Sequence, residues 1–83
     1  MLDFQTMVDD SERFLTALIE REDDMYVALC PEFDIARQGG SIEDALANLR
    51  EAVDLFLQSA DGKEVRERRR GHIFVTQFLP TRG

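Results

Sequence analysis

The stretch Arg13–Ala60, RFLTALIEREDDMYVALCPEFDIARQGGSIEDALANLREAVDLFLQSA, decides the fold. Two extended runs meet at the acidic turn Glu22-Asp23-Asp24, and a short third run ends at Gly39-Gly40. In the first run Leu15, Ala17 and Ile19 point one way and Phe14, Thr16, Leu18 and Glu20 the other, the period of a strand. Both sets are apolar near the start, so residues 14–20 read as a central strand or one covered on its second face by another subunit. In the second run Met25, Val27 and Leu29 oppose Tyr26, Ala28 and Cys30. Pro31 ends it, because proline has no amide to give to a ladder. Residues 35–38 form a short third strand, and Gly39-Gly40 a flexible corner.

Ser41 then opens a helix of about five turns. Ser41 and Asp44 have the spacing of a capping box. Ile42, Ala45, Leu46, Leu49, Ala52, Val53, Phe56, Leu57 and Ala60 fall on one stripe, with charged and polar residues opposite. The stripe is wide enough for three or four strands. Asp61-Gly62 is the expected stop, and residues 63–71 (KEVRERRRG) read as loop or a short helical turn. HIFVTQF at 72–78 has strand composition and is closed by Pro80. The expected fold is α+β in the order β-β-β-α-β: an antiparallel sheet of three to four strands, covered on one face by one long helix. Which face it covers stays open. Residues 1–12 form an N-terminal arm docking at most through Leu2 and Phe4, and residues 13–80 a single domain.

At 83 residues the chain is near the lower size for a self-sufficient core, so self-association is expected. With one Cys and one His there is no internal disulfide and no zinc-type cluster, and the fit is to a reducing cytoplasm. No run approaches a membrane span and the first residues lack a signal-peptide pattern. No cofactor is expected. The net charge of −7 is uneven: residues 1–60 carry a balance of −10 and residues 61–83 one of +3. An acidic body disfavours phosphate backbones and favours a basic protein partner, so direct DNA binding is not expected.

Residues 15–57 resemble the HicB-type antitoxin family, including its small single-domain members with a partial RNase H-like fold. The matching pieces are a strand with a charged end (LTALIERE), an acidic turn and a strand closing in Pro-Glu (MYVALCPE). RQGGSIEDALANLREAVDLFL is similar to the family's stretch of Gln-Gly, a Ser or Thr, paired acids and an Ala-Leu-x-Asn-x-x-Glu-Ala run. The resemblance implies a regulator that binds and neutralises a small basic HicA-type mRNA-cleaving toxin. Many members add a DNA-binding domain; with 23 residues after Ala60, a separate one is not expected here. Glu32-Phe33-Asp34-Ile35 also stands where the family often has Leu-Pro-Gly-Cys.

The residues expected to meet a partner are Glu20, Glu22, Asp23, Asp24, Tyr26, Glu32 and Asp34. Phe14, Leu18 and the Tyr26 face are the expected apolar part of that surface. Arg66, Arg68, Arg69 and Arg70 form the basic cluster, read as a solvated loop paired with Glu64 and Glu67, or as a nucleic-acid or subunit contact. Phe74 and Phe78 have strand spacing and are expected in the core. Catalysis is not expected. A two-metal nuclease needs converging carboxylates, which a hairpin turn does not supply, and Cys30 reads as a small buried apolar residue. The alternative to an antitoxin is an orphan homo-oligomer of the same fold with another protein partner.

Overall fold

The computed structural model describes residues 14–71 and 73–82. Three strands form one antiparallel sheet in the order β1-β2-β3: β1 Leu18–Glu22, β2 Met25–Cys30 and β3 Ile35–Gly39. Helix α1, Ile42–Ser59, lies across one face, and a short helix α2, Gly62–Arg68, closes the body. The α+β class and the strand-strand-strand-helix order are those of the sequence reading.

Register fixes which residues share a face. Ile19 pairs with Ala28 and Ala28 with Arg37, while Leu18 pairs with Leu29 and Leu29 with Ala36. The Tyr26, Ala28, Cys30 side of β2 is therefore the helix side. Ala28 and Cys30 are buried there against Ala45, Leu49 and Val53 of α1, with Ile19, Tyr26, Ile35 and Phe56 packed around them. Phe33 joins this core from the β2–β3 turn, its ring 5.2 Å from that of Phe56.

Helix α1 starts as its sequence dictates. Ser41 is extended, and its Oγ accepts the amide of Asp44 at 3.0 Å. Gly39 ends β3 for a reason other than flexibility. A Cβ there would lie 2.5 Å from the Ala45 nitrogen, so α1 can rest on the sheet only where a side chain is absent.

Several expectations change. The first strand begins at Leu18, not Phe14. Continuing the ladder would set Thr16 opposite Pro31, which has no amide, and the pairing stops. Asp61-Gly62 does not merely stop α1. Asp61 also caps α2, its Oδ1 accepting the Glu64 amide at 2.7 Å, and of the two readings of the charged run it is the helical one that holds, over two turns. Residues 73–80 form no strand, and Phe74 and Phe78 are 87% and 85% exposed rather than in the core. Among the described residues no ladder partner holds them. The arm at 1–12 and His72 lie outside the described residues.

Candidate partner-binding surface

Two acidic turns mark the two ends of the sheet. At one end β1 and β2 are joined through Asp23-Asp24, with Asp23 in the left-handed region at φ 57°. Aspartate tolerates that conformation better than most side chains. The Arg21 Nε donates to the Asp23 carbonyl at 3.0 Å and braces the turn. Glu20, Glu22, Asp23 and Asp24 are all exposed, and Glu20 and Glu22 stand on the face opposite α1. That open face carries Leu18, Met25, Val27, Leu29 and Ala36, with no second layer among the described residues.

The other end is built to hold the chain together. Pro31–Asp34 form the β2–β3 turn, with Asp34 also at φ 57°. Glu32 was expected to face a partner, but only 5% of it is exposed. Its carboxylate accepts the Thr16 amide at 3.1 and 3.0 Å and the Thr16 hydroxyl at 2.8 Å. The Cys30 thiol donates to the same carboxylate at 3.5 Å. The side chain of Glu32 thus supplies the acceptor for the Thr16 amide just beyond the end of the ladder. Burial is the largest single influence on this acid and pushes its pKa up. The Thr16 hydroxyl and amide, with further hydrogen bonds, outweigh it together and hold the carboxyl below its ordinary value. Cys30 moves the other way. Burial pushes the thiol up, and the neighbouring Glu32 charge adds to it, which makes Cys30 a poor nucleophile.

The same end anchors α2. The Arg70 amide donates to the Glu32 carbonyl at 2.8 Å, and Arg68 Nη2 to the Phe33 carbonyl at 2.9 Å. The Arg68 guanidinium sits 4.6 Å from the centre of the Phe56 ring, and that of Arg69 lies 5.9 Å from the Phe33 ring. Two members of the basic cluster are therefore turned onto the body rather than onto Glu64 and Glu67. Lys63 makes the ion pair with Glu67, at 3.9 Å. Arg66, Arg68 and Arg70 are exposed, and Arg66 and Arg70 border a cleft with Phe14, Leu15, Glu32, Ile73 and Phe74.

The structure therefore separates the expected partner residues. Glu20, Glu22, Asp23 and Asp24 form one exposed group, whereas Asp34 lies at the far end of β2, about 20 Å away for a six-residue strand. Tyr26 is half-buried on the helix side, so the face shared by Phe14, Leu18 and Tyr26 in the sequence reading does not exist. Leu18 belongs instead with Met25, Val27 and Leu29. The one sequence signal for Glu32 is its place beside Pro31: where proline ends the ladder, backbone groups of the facing chain need partners from outside the sheet.

Among the described residues no three His, Cys, Asp or Glu side chains come together as a metal-holding group, and no helix is long and apolar enough to cross a membrane. No family model, curated protein or solved structure matches this chain.

Proposed function

We propose that this chain is a HicB-like antitoxin-type binding protein that neutralises a small basic HicA-type mRNA-cleaving toxin. It is not an enzyme, and it acts in the cytoplasm as a homodimer or higher homo-oligomer. The observation that carries this reading is the exposed acidic hairpin tip, Glu20, Glu22, Asp23 and Asp24, set beside an uncovered apolar sheet face. Acids at a projecting tip steer a basic protein into encounter, and the adjoining apolar strip supplies area that excludes water. The resemblance of residues 15–57 to HicB antitoxins names the kind of basic protein. Tyr26 and Glu32 drop out as direct contacts, one half-buried under α1 and the other buried, and Asp34 belongs to a separate surface.

The test is co-expression with the product of a small basic reading frame adjacent in the genome, followed by an RNA-cleavage assay. Co-purification with stoichiometric loss of cleavage is the expected result. A toxin that remains fully active in the presence of excess chain would refute the proposal. An orphan homo-oligomer, the second reading, is favoured by one feature, the exposed apolar residues at 74–79. Absence of any adjacent basic reading frame, together with self-association, would select it.

A further inference from the structure

We infer that residues 73–79 are an exchanged strand: the segment from one copy pairs with the free edge of β1 in a second copy and completes its sheet. Four observations converge on that edge. First, the segment belongs to no helix or strand, and beyond Ile73 it is exposed. Phe74, Val75, Phe78 and Leu79 are exposed, Leu79 to 91%. Its alternating β-branched and aromatic residues form a strand sequence without a partner, and exposed apolar residues in a row mark an interface.

Second, the two edges of the sheet differ. On β3 the Asn48 Nδ2 donates to the Gln38 carbonyl at 2.9 Å, and Arg37 Nη1 donates to the Ala36 carbonyl at 2.6 Å. Side chains thus occupy acceptors of that edge strand. Among the described residues no side chain bonds to the backbone of β1, which pairs with β2 alone. An unblunted edge is a template for another strand.

Third, α1 is wider than the sheet it covers. Leu46 and Leu57 remain partly exposed along a groove on the β1 side, lined also by Leu15, Ala17, Leu49 and Val53. A strand laid beside β1 would drop alternate side chains into this groove. Seven residues span about 23 Å and the five of β1 about 17 Å, so 73–79 covers the edge in full. Pro80 ends the pairing where it is no longer needed.

Fourth, the charges match. The open edge carries Glu20 and Glu22 and leads to Asp23-Asp24, whereas 73–82 contains no acid and follows the exposed Arg66 and Arg70. Reciprocal exchange of the segment gives a closed two-fold dimer, in which each copy gains a fourth strand.

This inference rests on the self-association in the proposed function, and its test needs no toxin. Sedimentation equilibrium and amide exchange are run on the full chain and on Val75→Pro, a change at an exposed position that removes a ladder donor. The expected result is twice the single-chain mass for the parent, with slowed exchange at 73–79 and 18–22. In Val75→Pro the mass should halve and that protection should fall to the level of an open edge, with helical circular dichroism unchanged. A Val75→Pro chain that remains dimeric overturns the exchanged strand while leaving self-association standing. A monomeric parent overturns both; if its 73–79 amides are nonetheless protected, the segment closes onto its own β1.

Discussion

The two turns of this sheet are chemically alike and structurally opposed. Each contains an aspartate at φ 57°, and each is followed by a strand of the same sheet. At the Asp23-Asp24 tip every acid is exposed, and one arginine bond to a backbone carbonyl braces the turn. At Pro31–Asp34, Glu32 and Phe33 point inward and collect the chain before β1, the end of α2 and the helix-side core. The difference teaches that acid content alone does not define a binding surface. Where Pro31 ends the ladder, the neighbouring glutamate turns inward and accepts from Thr16 instead of standing as a surface charge.

The comparison is broken most forcefully at Phe33. Its ring is almost fully buried at the holding end, so Phe33→Ala should cost about 3–5 kcal/mol in denaturant unfolding. For a chain this small that is a large part of its total stability. A loss no greater than that of a surface substitution would mean the turn is not a holding point.

Glu32→Gln is next, at about 1.5–3 kcal/mol near neutral pH, the range for hydrogen bonds to a charged group. Folding favours the ionised form because the folded chain holds this carboxyl below its ordinary value. The contribution is therefore complete above the ordinary glutamate range and is lost as pH falls through the depressed folded value. Thermal melts of the parent and Glu32→Gln should converge in acid, and a gap constant with pH would contradict the ionic role.

At the tip, changes should act on binding more than on stability. Asp23→Lys with Asp24→Lys should cost about 1 kcal/mol in unfolding, from lysine at the left-handed position of Asp23, yet weaken capture of a basic partner on the order of tenfold through lost electrostatic complementarity. Calorimetric titration reads the second effect. The smallest effect sharpens the likeness between the turns. Asp23→Gly and Asp34→Gly each relieve a left-handed aspartate while loosening the unfolded chain, so both should change stability by under about 0.5 kcal/mol. A larger loss at Asp34 alone would show that its exposed side chain contributes to holding the turn.

Much of the fold was legible because its signals are local. The Ser41 cap, the 3.6-residue stripe of α1 and the stop at Pro31 each act within a few positions. What escaped depends on pairing across the chain. Strand composition at 73–78 cannot say which edge the segment meets, and the structure leaves it unpaired. The face of β2 chosen by α1 follows from Gly39 and Ala28 admitting close approach, a packing fact invisible to alternation. The site was half legible. The acids at 20–24 stand together because a two-residue turn keeps them together, whereas Glu32 was misplaced because its burial depends on Thr16, sixteen residues earlier. Arg68 and Arg69 read as solvated charge because the rings of Phe56 and Phe33 lie far from them in sequence.

The most direct measurement is a titration of the chain into the product of any small basic reading frame found adjacent to its own, reading RNA cleavage, with the Asp23→Lys, Asp24→Lys chain in parallel. Inhibition complete at a fixed stoichiometry, with an excess of the charge-reversed chain needed to match it, is the result expected of an antitoxin that binds through its acidic tip. Cleavage unaffected by either chain would contradict the antitoxin account, and equal inhibition by both would remove the tip from the interface.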